Sequence, residues 1–183
     1  DYMWARSTIG MSAGKWYAEF KNATDQEHSY VGICVDGADD NSTYFAGGGG
    51  SAAGVNDEFE WGYKTSSGDV WNDASEASYG DTYGENDIIS VALDLDNNKL
   101  YFAKNGTWQD SGDPTSGATG TGAVSITAPA STSTGFYFFA VADGSGTNAG
   151  GFEANFGGCS SFTVSSANQD ANGYGNFEYA VPS

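Results

Sequence analysis

Apolar and polar residues alternate with a period of two along most of this chain, and clusters of Gly, Asn, Asp and Ser interrupt the alternation. That period places every second side chain on one face of a β-strand, and no stripe of helical period competes with it. Lys15–Phe20 is predicted as a strand with Trp16, Ala18 and Phe20 on one face, and Tyr30–Val35 as a second. Short aromatic strands follow at Phe59–Tyr63 and Gly68–Trp71, and the stretch from Ala74 to Asn86 is polar apart from Tyr79 and Tyr83. The clearest segment is Ile88–Leu95, where Ile89, Val91, Leu93 and Leu95 share a face. Asp96-Asn97-Asn98 supplies turn residues, Leu100–Ala103 returns, and Asn105-Gly106 is a strong turn signal because both residues tolerate positive φ. Phe136–Val141 and Gly151–Phe156 complete the strands, with Phe162–Val164 as a further candidate. About ten short strands separated by turns make an all-β sandwich or barrel. Trp16, Trp61, Phe102, Phe138 and Phe156 are the expected core aromatics.

Composition narrows the function. The chain has 183 residues with 27 Gly, and its 6 Lys+Arg against 24 Asp+Glu give a net charge of −18. One domain is expected, its core at about 9–165 and a C-terminal extension at 166–183 that ends like a cut. Six scattered basic residues cannot build the cationic footprint that phosphate backbones require, so nucleic-acid binding is excluded. No run reaches the roughly 18 apolar residues of a membrane span, so no membrane insertion is expected. Asp1–Gly10 lacks the basic and then apolar runs of a signal peptide, and the chain reads as processed or as a piece of a longer one.

Cys34 and Cys159 lack metal-type spacing; they are read as two buried thiols, with a single disulfide as the alternative. His28, the one histidine, belongs to a polar run beside Glu27 and is expected in a solvated loop. Asn22, Asn41 and Asn105 head Asn-x-Thr sequences that match the glycosylation acceptor by composition alone.

The run Asn86–Gly106, containing Ser-Val-Ala-Leu-Asp and closing on Lys-Asn-Gly, resembles the signature of SPRY domains. Other landmarks of that family stand in order: Gly14-Lys-Trp-Tyr-Ala-Glu19, Val31-Gly-Ile33 and Glu153-Ala-Asn-Phe-Gly157. Two further stretches, Gly106–Gly122 and Asp170–Tyr179, resemble the version of the domain found in structural proteins of tailed bacteriophages. The resemblance implies a concanavalin A-like jelly roll of two antiparallel sheets. It also implies a binding module whose edge loops contact a partner, with no catalytic residues and no cofactor. The expected setting is a virion surface, as capsid decoration, fibre or tail-associated domain within a larger assembly. Other virion proteins or host-surface glycan would be the partners. A secreted, extracellular lectin-like protein or filament subunit is the alternative.

Three groups of residues are the chemical candidates. Loop aromatics Tyr44, Phe45, Trp71, Tyr79 and Tyr83 are the expected ligand contacts, since flat rings stack on sugars and anchor protein interfaces. Asp36, Asp39 and Asp40 crowd one turn and offer oxygens to Ca²⁺, although without an EF-hand pattern; a solvated turn with no metal is the main expectation. Glu58 and Glu60, two apart on a strand, would share a face about 6.6–6.8 Å apart in rise. Rotation could bring them toward the ~5–5.5 Å of a retaining glycosidase pair. The third carboxylate that laminarinase-type strands carry is missing, because Asn56 and Gly62 are the neighbours on that face. A solvated acidic edge is the simpler expectation, and glycoside hydrolysis the lesser alternative.

Overall fold

The computed structural model describes residues 3–24, 27–35, 57–143 and 151–183. Among these, strands β1 (Met3–Arg6), β2 (Lys15–Asn22), β3 (Ser29–Val35), β4 (Trp61–Lys64), β5 (Asp69–Asn72) and β6 (Ser75–Ser78) precede β7 (Ile88–Asp94). β8 (Lys99–Lys104), β9 (Thr107–Trp108), β10 (Val124–Ser125), β11 (Tyr137–Asp143) and β12 (Phe152–Asn155) follow. One sheet runs β1-β11-β3-β4-β5-β6 and the other β10-β8-β7-β2-β12, with β9 also on β8; every pairing is antiparallel. The two-sheet sandwich expected from the alternation is present.

The alternation also decides which residues fill the space between the sheets. Ala18, Phe20, Ile89, Val91, Leu93, Leu100 and Phe102 meet Val31, Ile33, Val35, Trp61, Tyr63, Tyr137 and Phe139 there, all of them buried. Burying each large apolar side chain stabilises the fold by roughly 1.5–3 kcal/mol. The first sheet carries a second apolar cluster on its outer face, where Tyr30, Cys34, Phe138, Ala140 and Ala142 pack with Trp4 and Trp71. Two cations lie on this cluster, Arg6 4.2 Å from the Phe138 ring centre and Lys64 5.2 Å from that of Trp71.

The turns follow local chemistry. Lys104 pairs with Thr107 around Asn105 (φ 49°) and Gly106 (φ 79°), the two positive values that a two-residue type I′ turn needs. Asn72 pairs with Ser75 around Asp73 (φ 49°) and Ala74 (φ 57°), the same geometry made from poorer residues. This second hairpin creates β6 inside the stretch expected to be merely polar. The alternation likewise does not predict β1, β9 or β10, and Phe162–Val164 forms no strand.

Three further expectations need correction. Trp16 is 39% and Phe156 53% exposed, so neither belongs to the closed core, although Phe156 packs its edge on Phe20. Cys34 is buried but Cys159 is exposed, and no disulfide joins them. Residues Asp57–Phe59 form a 3₁₀ turn instead of a strand; Glu58 is exposed on it while Glu60 is buried just before β4. The two glutamates therefore do not share a strand face. Of the Asn-x-Thr sequences, Asn22 is fully buried and Asn105 serves its turn, donating its amide to Asp87 at 2.7 Å.

Candidate functional site

The outer face of the second sheet carries Tyr17, Glu19, Ser90, Ala92, Asp94 and Tyr101, because these residues alternate with the core set. Water does not cover most of this face, since the C-terminal segment crosses it. Glu19 is fully buried and holds that segment in place. Its Oε1 accepts the Tyr17 hydroxyl (3.1 Å) and the Tyr179 N–H (2.8 Å). Its Oε2 accepts the Asn155 amide (3.0 Å) and the Glu178 N–H (2.9 Å). Four neutral donors thus solvate one carboxylate, which is how a buried acid avoids most of its desolvation penalty. The Tyr17 hydroxyl also lies 2.9 Å from Ser90 Oγ, and burial, then the Glu19 charge, push its pKa far above the ordinary phenol value.

The segment is folded on itself as well. Asn168 and Phe177 exchange two backbone hydrogen bonds of 2.8 Å, and Asp170 Oδ1 accepts the N–H groups of Asn172 and Tyr174. Phe177 stands edge-on to Tyr17 with ring centres 4.9 Å apart. Gly157 and Gly175, both with positive φ, make room for that ring: a Cβ on either would lie 2.6 or 2.4 Å from it. Glu178 accepts from the Ser165 hydroxyl and N–H, both 2.6 Å, and these bonds hold its carboxyl below the ordinary range.

Between this segment, the Pro114–Thr115 loop and the Phe156–Gly158 turn lies a cleft of about 690 Å³. Its floor is Tyr17, Ala92 and Tyr101. Three of the five large hydrophobic side chains most exposed among the described residues, Trp16, Phe156 and Tyr174 (73%), converge on it. The Trp16 indole is fixed by a 2.8 Å bond to the Ala13 carbonyl, so its ring is held in place at the rim. Asp94 and Asp170 give the cleft a negative bias, with Lys15 3.8 Å from Asp94 as its one cation. This arrangement can stack, hydrogen-bond and pair charges with a ligand.

The residues expected from sequence lie elsewhere. Tyr44 and Phe45, like Asp36, Asp39 and Asp40, fall outside the described residues. Trp71 is half-buried on the outer face of the first sheet, under Lys64. Tyr79 is half-buried; its hydroxyl donates to the Gly122 carbonyl (3.1 Å) and accepts from the Phe102 N–H (3.2 Å). Tyr83 is only 5% exposed, stacks on Tyr63 at 5.1 Å and donates to the Tyr63 carbonyl at 2.7 Å. Burial raises the pKa of both tyrosines well above that of a free phenol. Tyr83 is therefore a core residue and not a surface contact, because its ring extends a buried stack in which Tyr63 lies against both Tyr83 and Phe102. Asn72 ties the Glu58 and Glu60 carbonyls together at 3.2 and 2.8 Å, which makes that region a structural knot.

The chain is thus a sandwich of two antiparallel sheets with an aromatic cleft against the second sheet. The SPRY domain pattern matches residues 15–139, and the chain belongs to the SPRY domain family. Proteins of this family are, as a class, protein-interaction modules. The crystal structure of the SPRY domain of human HERC1 superposes with a TM-score of 0.58 at 14% identity, covering 84% of this chain and 80% of that one. That likeness concerns the fold. No curated protein matches the sequence. Among the described residues no helix is long and apolar enough to cross a membrane.

Proposed function

We propose that this domain is a non-catalytic binding module that captures its partner in the cleft rimmed by Trp16, Phe156 and Tyr174. Its setting is the surface of a tailed-phage virion, where the partner is another virion protein or a host-surface glycan. The convergence of three exposed rings on one concavity is the observation that carries this reading, because large aromatics dominate the energetics of recognition sites. The phage setting is supported by the sequence resemblance of Gly106–Gly122 and Asp170–Tyr179, and both stretches contribute walls of the cleft. A secreted lectin-like protein is the second reading, favoured by the polar residues Asp170 and Asn172 lining the same cleft as Tyr174. Binding of the full chain to purified virions and to a glycan array, repeated with Trp16→Ala and Tyr174→Ala, tests the assignment. Both variants should lose binding while keeping the wild-type melting temperature. Wild-type binding by both would place the site elsewhere.

A further inference from the structure

Among the described residues the second sheet is incomplete at one place. β12 ends at Asn155, opposite Glu19, while β2 extends four residues further, from Ala18 back to Lys15, where the described strands flank it on the β7 side only. The alternation of an antiparallel ladder decides which backbone groups face the open side. Asn22 gives its N–H to Asp87 and takes the N–H of Asn86, so even-numbered residues of β2 bond toward β7. Ala23 gives its N–H to Gly151, so odd-numbered residues bond toward β12. The N–H and C=O groups of Lys15 and Tyr17 therefore point out of the sheet, beside the Phe156–Gly158 wall of the cleft. The chain does not continue β12 to meet them, because Gly157 (φ +85°) turns away and gives its N–H to Asn155 Oδ1 at 2.9 Å.

We infer that this open edge of β2 is a docking site for an extended peptide segment of a partner protein, added to the sheet in line with β12. The inference rests on the cleft being the binding site. Main-chain bonds to Lys15 and Tyr17 would hold the segment, and its side chains would alternate between two environments. One set would meet Trp16 and Phe156; the other would meet Tyr17, Phe177 and Tyr174. Charge selects the partner further. With a net charge of −18 and Asp94 and Asp170 in the cleft, the domain repels acidic segments and second copies of itself. The segment is neutral or basic, with apolar residues at every second position.

A random linear decapeptide library selected on the full chain tests this. Selected peptides should show apolar residues with a period of two. Methylating their backbone nitrogens one at a time should weaken binding by about threefold to tenfold at alternate positions and little between them, as loss of single main-chain hydrogen bonds requires. In the bound protein, amide hydrogen exchange should slow at Lys15 and Tyr17. Failure to select peptides, a methylation scan without period two, or unchanged exchange at these amides would overturn the inference. If a ligand, peptide or neutral glycan, then still depends on Trp16 and Tyr174, the cleft stands and only strand pairing falls. Indifference to both rings removes the cleft as well.

Discussion

The backbone N–H of Tyr179 donates to Glu19 Oε1 across 2.8 Å of space and 160 residues of sequence. This bond and its neighbour from Glu178 fasten the C-terminal segment to β2. Glu19→Ala would leave four donors facing a void, two of them backbone groups. A loss of about 3–5 kcal/mol is expected, since each neutral donor left buried and unpaired costs about 1–3 kcal/mol and some regain water. Chemical denaturation measures it, and faster amide exchange across 168–179 would locate it. Glu19→Gln should fall between the two, since it keeps the shape but turns one acceptor into a donor.

Ala74→Gly should stabilise the chain. A non-glycine residue in the left-handed region costs about 1–2 kcal/mol, and the extra unfolded-state freedom of glycine returns about 0.4–1 kcal/mol of that. The net gain is up to about 1.6 kcal/mol, and each kcal/mol would raise the thermal midpoint by roughly 2–4 °C for a chain of this size. No rise would mean that the Asp73–Ala74 hairpin is not formed in solution.

Stability should fall in acid in a defined window. Burial alone would raise the Asp87 pKa, but the Gly84 N–H, the Asn105 amide and Lys104 outweigh it and hold the carboxyl below its ordinary 3.8. A carboxylate with a depressed folded-state pKa adds stability that is complete above its unfolded value and is lost as pH falls through the folded one. Denaturation midpoints should therefore be flat from pH 7 to about 5 and drop below about 4. Asp87→Asn should flatten part of that drop, by less than about 1 kcal/mol because the group is partly exposed and solvent screens it.

Gly157→Ala should disturb the cleft from beneath. The added methyl would sit 2.6 Å from the Phe177 ring in a backbone conformation that alanine disfavours. A cost of about 2–3 kcal/mol is expected from strain and overpacking together. Near-ultraviolet circular dichroism should change as Phe177 leaves Tyr17.

Much of the fold was legible in the sequence where one physical signal dominated. Ile89, Val91, Leu93 and Leu95 are all buried, and Asn98 and Asn105 adopt the positive φ that their side chains tolerate. β6 was not legible, because Ser75–Ser78 is exposed throughout and its turn uses Asp-Ala. Tyr79 and Tyr83 misled for the opposite reason: polar sequence neighbours suggested a loop, yet the gap beside Tyr63 draws both rings inward. The cleft had no local signature. The alternation places Trp16 on the correct face, but its exposure depends on where β12 stops, and that is set by Gly157. Glu19 looked like any outward charge on a strand until the segment that covers it was in view.

The anchorage of Glu19 also governs where this polypeptide can be trimmed. A version cut to the family boundary at 139 would retain the carboxylate while discarding Asn155, Glu178 and Tyr179, three of its four donors. The flank of the second sheet would then carry a bare anion over Tyr17 and Ser90. Any graft of this domain into another protein must therefore bring its last forty-odd residues along, or the recipient inherits an unhealed surface.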